Sequence, residues 1–379
     1  MKKIRTAIFG TGFMGRVHTE ALRRLGNVEV VGVVGRTWEA TKKFAETVGI
    51  ERATCDFREF LAAPDIDAIH ICTPNSLHCE MTSAALSAGK HVACEKPLAT
   101  TIEEAKKMAA LAKQKELANC VVYNLRCYPQ VQNMRRMCEA GDFGAIQIVQ
   151  GTYSQDWLFY DSDWNWRVES GPSRAFADIG SHWCDAVEHI TGLRITSLSA
   201  DLATFRKVRK KPKHSVETFA GKTLRPDDYD AVSVSTEDYC AVMFRMGENA
   251  RGSMTVSQVS AGRKNYFSVE IYGTKRSAAW NAERPDELWI GNRDHPNEIL
   301  IKDPSLMAEQ AGKYADLPGG HSEGYDDTFK QIFRRFYRTV ADRNEAVEYP
   351  TFDDGIRQMW IQDAVLESSA KKAWVDVNG

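Results

Sequence analysis

The sequence predicts an α/β domain with a doubly wound parallel sheet, followed by an α+β domain whose open, mixed sheet is largely antiparallel. Two observations predict this division of the 379 residues. Short apolar strands alternate with helices through the first third of the chain. After that, strands follow one another through short polar turns, which is typical of hairpins. We therefore expect one domain over residues 1–125 and a second over residues 126–379.

The first predicted strand, Thr6–Phe9, runs directly into a glycine-rich turn and then a helix. The turn has the pattern G-x-G-x-x-G, and its residues are Gly10, Thr11, Gly12, Phe13, Met14 and Gly15. In this pattern the first glycine permits the turn, the second lets the backbone approach a pyrophosphate, and the third packs helix on strand. The helix N-terminus adds unpaired N–H groups. The context predicts a Rossmann dinucleotide-binding domain; the alternative is a glycine-rich turn without a ligand.

The second strand, Val28–Val34, ends without the acidic residue that usually binds the ribose 2′-hydroxyl of NAD. Arg36 and Thr37 stand there instead. A guanidinium and a hydroxyl suit a 2′-phosphate, so the pattern favours NADP slightly over NAD. The alternative is that Thr37 caps the next helix while Arg36 is solvated.

The alternation continues to residue 123 through elements that we predict in order. They are a helix over Trp38–Val48, a strand and helix to Ala63, a strand over Asp67–Cys72, the turn Thr73-Pro74-Asn75, a helix from Ser76, a strand over His91–Cys94, a helix over Thr101–Lys115, and a strand over Asn119–Tyr123. His78 falls in the first turn of its helix, facing the crevice.

Glu95-Lys96-Pro97 follows the fifth strand directly. Lys96 should therefore stand at the carboxyl end of the sheet, where open α/β folds bind ligands. A lysine there can hold a substrate hydroxyl and move its proton, with Glu95 orienting it. The alternative is an ordinary surface lysine.

The sequence after residue 126 predicts a sheet accompanied by helices. The strands are Ile146–Tyr153, Ile195–Phe205, Ala231–Ser235, Cys240–Phe244, Arg251–Val259, Phe267–Tyr272 and Ala373–Val377; the helices are Pro129–Ala140, Ala177–Thr191, His321–Asp342 and Asp353–Lys371. Such a sheet needs a cover on each face. We expect helices on one face and a second subunit on the other, giving a homodimer or homotetramer.

Asp178 and His182 stand four residues apart in one predicted helix, so both side chains should point to one face. A carboxylate beside an imidazole suits proton transfer to and from a hydroxyl. The alternative is a buried histidine bonded within its helix. No third ligand at suitable spacing supports a metal site.

An aromatic and polar stretch precedes that helix, and its residues include Gln155, Trp157, Asp163, Trp166 and Arg167. Aromatic faces beside hydroxyl-binding groups suit a pyranose. The alternative is packing of the tryptophans against the sheet. Gly319-Gly320-His321 offers a further histidine.

Composition excludes several classes of protein. The net charge of −2 gives no global attraction to nucleic acid or anionic membranes. The basic run Arg206–Lys213 lacks interleaved aromatics, so we expect a solvated loop. Nine cysteines without a C-x-x-C pair, no membrane span and no signal peptide predict a reduced, cytoplasmic protein.

The order of these motifs, with Asn124-x-Arg126 between them, resembles the glucose–fructose oxidoreductase and inositol dehydrogenase (Gfo/Idh/MocA) family. Glu95-Lys96-Pro97 carries the resemblance most specifically. It implies a nicotinamide cofactor, NAD(P), between the two domains and a secondary alcohol of a sugar or cyclitol as substrate. It also implies Lys96 and His182 as the catalytic pair with Asp178 beside them, and Trp166-Arg167 as a cofactor contact.

These inferences predict an NAD(P)-dependent oxidoreductase acting on a sugar, glycoside or cyclitol. By the same resemblance, the cofactor would be contacted by the glycine-rich turn, Thr73-Pro74-Asn75, His78, Glu95-Lys96-Pro97 and Asn124. Arg126 would contact the substrate. A redox-neutral glycosidase, working by oxidation, elimination and re-reduction, would use the same residues. A nucleotide-sensing regulator would be expected to lack Lys96 or His182, and both are present.

Overall fold

The protein is represented by a computed structural model that describes residues 3–169, 171–213 and 228–378. The N-terminal third alternates strand and helix as predicted. Its elements are β1 (Ile4–Phe9), α1 (Phe13–Arg23), β2 (Val28–Val34), α2 (Trp38–Val48), β3 (Arg52–Thr54), α3 (Arg58–Ala62), β4 (Ala68–Ile71), α4 (His78–Ser87), β5 (His91–Cys94), α5 (Ile102–Gln114) and β6 (Asn119–Val121).

These six strands form one sheet in the order β3-β2-β1-β4-β5-β6, and every adjacent pair is parallel. Ala7, Ile8 and Phe9 of β1 are fully buried, as strands covered by helices on both faces should be. The strand order reverses between β1 and β4. A doubly wound sheet binds ligands at such a point, outside the carboxyl ends of the strands. The predicted Rossmann architecture is confirmed.

The rest of the chain forms a second set of elements. They are α6 (Pro129–Glu139), β7 (Ile146–Ser154), α7 (Ser181–Thr191), β8 (Ile195–Ala203), β9 (Val208–Pro212), β10 (Tyr229–Ser233), β11 (Tyr239–Met246), β12 (Ala250–Ser257), β13 (Tyr266–Gly273), β14 (Ser277–Asn281), β15 (Glu287–Gly291), β16 (Glu298–Ile301), α8 (Glu309–Gly312), α9 (Tyr325–Ala341), α10 (Phe352–Lys371) and β17 (Val375–Asp376).

The larger sheet has the order β16-β15-β14-β13-β7-β12-β11-β8-β17. Only the central pair β7 and β12 is parallel, so the predicted mixed and largely antiparallel sheet is confirmed. Side chains alternate between its faces. Val149 and Tyr153 point to the buried face, where Trp183 of α7 donates its indole N–H to the Ser268 carbonyl over 2.8 Å. Gln150 and Thr152 line the opposite, half-exposed face.

The structure contains strands that the sequence did not predict. Three of them, β14, β15 and β16, extend the large sheet beyond β13. The fourth, β9, pairs with β10 in a separate antiparallel ribbon. It lies inside the basic run Arg206–Lys213, where a solvated loop was expected, and Arg209 within it is fully buried. The prediction of a loop was wrong because backbone pairing does not depend on how polar the side chains are.

The chain divides into two compact units. The first unit comprises residues up to Cys127 together with Tyr325–Met359, and the second comprises Tyr128–Gly324 together with the residues from Trp360 onward. The domain boundary expected between residues 125 and 126 lies two residues before the first boundary between the units. The sequence did not predict that Tyr325–Met359 belongs to the first unit. Helix α9 belongs to the first unit because its apolar face packs against α1. In the described ranges no helix has the length and apolar character needed to cross a membrane.

Candidate functional site

The glycine-rich turn connects β1 to α1 in the first unit. Gly10 has a φ of +122°, and a Cβ there would lie 2.4 Å from the Cys72 carbonyl oxygen. A Cβ on Gly15 would lie 2.2 Å from the Gly10 oxygen. A Cβ on Gly12, the residue that precedes α1, would meet nothing within 4 Å. The turn thus leaves open space at the N-terminus of a helix, which fits the pyrophosphate of a dinucleotide.

Arg36 and Thr37 follow β2 at the surface, and both are exposed. Thr37 occupies the N-cap position of α2, where the alternative prediction placed it. Its side chain, however, makes no capping hydrogen bond. Its hydroxyl is therefore not used by the helix. The position suits recognition at the ribose end of a dinucleotide.

His78 at the start of α4 lies between two loops. Its Nδ1 is 2.9 Å from the Pro97 carbonyl oxygen and its Nε2 is 2.9 Å from the Thr73 carbonyl oxygen. The ring is fully buried, and burial lowers its pKa, so it donates its single N–H to one carbonyl at a time. We expected His78 to face the crevice as a cofactor contact. Its buried ring contacts the loops after β4 and β5 through both nitrogens. A cofactor contact of His78, like those of Thr73, Pro74 and Asn75, stays a prediction.

Glu95, Lys96 and Pro97 follow β5 at the carboxyl edge of the sheet. The Glu95 Oε1 lies 2.9 Å from Nε2 of His18 on α1, and its Oε2 accepts the Lys96 backbone N–H over 3.3 Å. Glu95 is only 6% exposed. Its carboxylate therefore orients the main chain at Lys96, and its contact with the cofactor stays a prediction. The Lys96–Pro97 peptide is cis.

Asn124 and Arg126 lie in a short helical turn after β6. The Asn124 Nδ2 donates to the Thr328 hydroxyl over 2.8 Å, and the Arg126 guanidinium pairs with Asp354 at 2.8 Å. Burial alone would raise the pKa of Asp354, but the charge of Arg126 and its hydrogen bonds hold that pKa below the usual value. Both side chains thus help to join segments of the first unit. Their proposed ligand contacts remain predictions.

Asp178 and His182 lie in the second unit, where a π-helical turn, Phe176–Gly180, precedes α7. The sequence predicted one continuous α-helix here. Asp178 accepts a hydrogen bond from Gln258 Nε2 over 2.8 Å and pairs with Arg167 at 3.3 Å. His182 is buried, with its ring centroid 6.5 Å from that of Tyr153. Single π turns are frequent at functional sites.

Arg167 links Asp178 to the aromatic stretch. Its guanidinium carbon lies 4.6 Å from the centre of the Trp166 ring, and its Nη1 donates to Asn165 Oδ1 over 3.2 Å. The cation is therefore held by a π face, an amide and a carboxylate. The structure brings Trp166, Arg167 and Asp178 together as one group.

The other residues of the stretch are held by packing and local hydrogen bonds. Trp157 donates its indole N–H to Gln155 Oε1 over 2.8 Å, and Gln155 donates to Asn265 over 2.8 Å. Asp163 accepts the Tyr160 N–H over 2.6 Å. Trp157 packs against a small apolar cluster of Leu158, Val168 and Val234, as the alternative of structural packing predicted. His321 is exposed, with Nδ1 3.3 Å from the Gly319 oxygen.

Two buried side chains that support Asp178 and the aromatic stretch were not predicted from the sequence. Gln258, fully buried at the end of β12, is the amide partner of Asp178. Arg209 pairs with the buried Asp238 at 2.7 Å and donates to the carbonyls of Leu158 and Tyr160, each over 3.0 Å. No signal in the sequence marks Gln258. Alternation of side chains along β9 is the one signal that identifies Arg209 among its basic neighbours.

No cluster of three metal-ligating side chains occurs among the residues that the structure describes. The carboxyl edge of the parallel sheet offers backbone N–H groups and Lys96, and the second unit offers His182 and the Asp178 carboxylate. Such a set suits phosphate binding and proton transfer.

Comparison with known families gives two matches. Residues 4–123 match an oxidoreductase family described as an NAD-binding Rossmann fold, and residues 131–279 match the GFO/IDH/MocA C-terminal domain.

Similar proteins cover the chain from end to end. Levoglucosan dehydrogenase of Pseudarthrobacter phenanthrenivorans is 32% identical over 393 residues, covering 100% of this chain and 99% of that protein. A structure of levoglucosan dehydrogenase in complex with NADH and L-sorbose superimposes with a TM-score of 0.89 at 30% identity, covering 100% of both chains. An inositol dehydrogenase homologue from Azotobacter vinelandii, complexed with NADH and myo-inositol, gives a TM-score of 0.86 at 25% identity, covering 99% and 98% of the two chains.

Proposed function

The chain belongs to the GFO/IDH/MocA oxidoreductase family, and on that premise we propose that it transfers a hydride between a secondary hydroxyl and a nicotinamide dinucleotide. The hydroxyl belongs to a sugar, glycoside or cyclitol. The observation that carries the proposal is the open turn at Gly12, set at the same carboxyl edge of the parallel sheet as Lys96. A phosphate-binding turn and a proton-handling amine at one sheet edge suit alcohol oxidation.

The cofactor would be held mainly by the first unit. The backbone N–H groups at the start of α1 would bind the pyrophosphate, and the loops at Thr73–Asn75 and Glu95–Pro97 would border the remainder. When bound, the nicotinamide supplies a hydride acceptor at its C4. The α1 first turn contains no acidic residue, so nothing there repels the phosphates.

Lys96 and His182 would handle the proton. His182 takes the hydroxyl proton, or Lys96 takes it where the amine is neutral, and the group that stays charged stabilises the developing oxyanion. Asp178 supports this role because Gln258 and Arg167 hold its carboxylate in place. The pairing of Lys96 with His182 comes from the family resemblance.

The substrate class follows from the relatives. Levoglucosan dehydrogenase acts, by its name, on levoglucosan, and the compared structures contain L-sorbose and myo-inositol. In this chain the Arg167 guanidinium lies over the Trp166 ring, so a hydroxyl donor and an aromatic ring stand together. Gln155, Trp157, Asp163, Arg126 and His321 are further proposed substrate contacts.

We expect the cofactor preference to depend on Arg36 and Thr37. An exposed guanidinium and a hydroxyl not engaged in capping favour the 2′-phosphate of NADP. The compared structures contain NADH, so use of NAD is expected as well.

A homodimer or homotetramer through the large sheet is also proposed. The face that carries Gln150, Thr152, Ser253, Thr255 and Glu270 surrounds a shallow depression of about 610 Å³. Half-exposed strands with small polar side chains present an extended surface that a second subunit can cover. A monomeric mass in light scattering would contradict this assembly. The nine free thiols suit a reducing compartment, for which we propose the cytoplasm.

The decisive experiment identifies the nucleotide and then the substrate. We would measure binding of NAD(H) and NADP(H) by fluorescence titration. We would then screen levoglucosan, L-sorbose, myo-inositol, glucose and glucose 6-phosphate for nucleotide reduction at 340 nm. Reduction with at least one carbohydrate is expected. If neither nucleotide binds, the proposed function is wrong.

The redox-neutral glycosidase remains an alternative that the relatives do not favour, since their names describe dehydrogenases. Aryl glycosides would separate the two activities. Release of the aglycone without net nucleotide reduction would indicate the glycosidase.

A further inference from the structure

A chain of buried polar side chains extends from Glu95 into the first unit. Glu95 Oε1 lies 2.9 Å from His18 Nε2, and His18 Nδ1 lies 2.9 Å from His70 Nδ1. His70 Nε2 lies 3.0 Å from the Tyr337 hydroxyl. His18, His70 and Tyr337 are all fully buried, and they come from α1, β4 and α9. Three distant segments thus converge on one carboxylate.

The surroundings of the two imidazoles are apolar. The Phe333 ring centroid lies 4.6 Å from that of His18 and 4.7 Å from that of His70. Buried polar groups in such surroundings must satisfy one another, because an unsatisfied donor or acceptor costs the desolvation of that group. The proton positions along the chain are therefore constrained.

The constraint can be followed from Tyr337 to Glu95. Burial raises the pKa of Tyr337, so its phenol keeps its proton, and burial lowers the pKa of His70, so His70 is neutral. A neutral imidazole has one donor and one acceptor, and a carboxylate only accepts. With both imidazoles neutral and Glu95 as a carboxylate, one assignment satisfies every ring nitrogen. Tyr337 donates to His70 Nε2, His70 donates from Nδ1 to His18 Nδ1, and His18 donates from Nε2 to Glu95. The acceptor His18 Nδ1 also has the Cys72 Sγ at 3.2 Å, so the thiol is a second donor to the same nitrogen.

The buried thiols near Glu95 and the buried His78 imidazole are neutral. Burial raises the pKa of the thiols of Cys72, Cys94 and Cys120, which lie on or after β4, β5 and β6. Burial lowers the pKa of His78 on α4. The adjoining ammonium is that of Lys96, whose own backbone N–H the second Glu95 oxygen accepts. One oxygen of Glu95 therefore accepts a hydrogen bond from His18, and the other accepts one from the Lys96 backbone N–H, so the position of His18 affects the position of the Lys96 main chain.

We propose that His18 is a positioning residue for the reaction, which holds Glu95 as a carboxylate against Lys96, and that His70 and Tyr337 fix the tautomer of His18. The inference rests on the proposed function, because Lys96 is the residue whose placement matters. The donor pattern itself is a property of the folded chain and can be tested without a substrate.

The first test measures tautomers directly. Protein labelled with [15N]histidine is examined by long-range 1H–15N correlation at pH 7, and the signals of His18 and His70 are identified by their loss in His18→Gln and His70→Gln. We expect His18 to be protonated at Nε2 only and His70 at Nδ1 only. An imidazolium at His18, or a proton on Nε2 of His70, would overturn the proposal even if no carbohydrate is ever turned over.

The second test uses turnover of the carbohydrate found in the screen. His18→Leu removes the donor, whereas Gln offers an NH2 donor group and a carbonyl acceptor in place of the two ring nitrogens. We expect His18→Leu to lower kcat/KM at least about tenfold, the effect of one hydrogen bond to a charged group. His18→Gln should restore most of kcat/KM.

Tyr337→Phe serves if His18→Leu does not fold. It removes only the hydroxyl at the far end of the chain, and we expect an altered His70 tautomer with a fall in kcat/KM of about threefold or more, part of the effect of one hydrogen bond. The matched control is Tyr349→Phe, because Tyr349 is a buried tyrosine of the same unit whose hydroxyl contacts Thr339. Wild-type tautomers and wild-type turnover in Tyr337→Phe, or equal effects of both substitutions, would contradict the proposal.

Discussion

Arg167 and Asp178 form an ion pair in the second unit, with the guanidinium Nε 3.3 Å from the Asp178 Oδ1. The arginine comes from a loop, the aspartate from a π-helical turn, and only folding brings them together. Because the same guanidinium covers the Trp166 ring, the pair joins the proposed sugar surface to the proposed proton-transfer residues. The first prediction tests this connection.

Arg167→Met should lower kcat/KM for the sugar about 10- to 100-fold, as expected for removal of one or two hydrogen bonds to a charged group. The melting temperature should change little, since the pair is partly exposed. Lys211→Met is the matched control, because Lys211 forms an exposed ion pair with Glu169 in the same region. Equal kinetic effects of the two substitutions would show that Arg167 has no specific role.

Lys96→Ala should abolish turnover and leave nucleotide affinity within about tenfold, or 1.4 kcal/mol, of the wild type. In the proposed function the amine is required for the proton step, whereas the pyrophosphate would bind at the glycine-rich turn. Steady-state kinetics and fluorescence titration measure the two effects. Lys107→Ala, on the exposed side of α5, is the control. Turnover near the wild-type rate in Lys96→Ala would dismiss the assigned role.

Gly10 and Gly12 should respond differently to the same substitution. Gly10→Ala places a Cβ 2.4 Å from a backbone oxygen at a φ of +122°, so unfolding free energy should fall by roughly 1–3 kcal/mol. Gly12→Ala meets no neighbour within 4 Å, so the variant should fold normally and bind nucleotide at least about tenfold more weakly, since a methyl group would occupy the pyrophosphate space. Thermal melts and titrations compare them. Wild-type affinity in Gly12→Ala would place the nucleotide elsewhere.

Arg36→Asp should shift the cofactor preference towards NAD. A carboxylate at this position accepts from the ribose 2′-hydroxyl and repels a 2′-phosphate. We expect the ratio of kcat/KM for NAD to that for NADP to rise at least about tenfold, the effect of one charged hydrogen bond. Lys43→Asp makes the same charge change on an exposed part of α2. A similar shift in both variants would indicate a general charge effect.

Asp354→Asn should reveal an acid-dependent contribution to stability. Although burial opposes it, the charge of Arg126 lowers the pKa of Asp354 below its ordinary value of 3.8. A lowered folded-state pKa adds stability above the ordinary value, and that stability is lost as pH falls through the folded-state pKa. At pH 7 the variant should be less stable by about 1–3 kcal/mol, and the gap should close below about pH 3.8.

Melting temperatures from pH 2 to pH 7 test this expectation, with the exposed neighbour Asp353→Asn as the control. A gap between wild type and Asp354→Asn that stays constant down to pH 2 would show that the Arg126 pair does not contribute.

Much of the fold could be predicted because its signals are local. Helix α2 has the predicted bounds Trp38–Val48, and β2 the predicted bounds Val28–Val34, since apolar spacing and flanking glycines mark both. The strands β14 to β16 were missed because each has only four or five residues, and such short runs give a weak periodic signal. The π turn at Phe176–Gly180 was missed because its spacing still places Asp178 and His182 near each other along a helix.

The candidate site was predictable where one segment carries the whole signal. The glycine turn, Lys96 at the end of β5, and the Asp178/His182 spacing are of this kind. The roles of Glu95 and His78 were not, because their partners lie on other elements, at His18 for Glu95 and at the Thr73 and Pro97 carbonyls for His78. The sequence places these side chains near the crevice, but burial decides which atoms they can offer.

The sequence by itself therefore determined the family, the parallel sheet, the nucleotide turn and the identity of the proton-handling candidates, because each depends on residues within one strand–turn–helix unit. Only the tertiary structure decided which carboxylates are held by which donors. Gln258 and Arg167 reach Asp178, and a line of two imidazoles and a phenol reaches Glu95. Hydrogen bonds between segments far apart in sequence leave no periodic trace in either segment, since each donor satisfies a buried group rather than a local pattern.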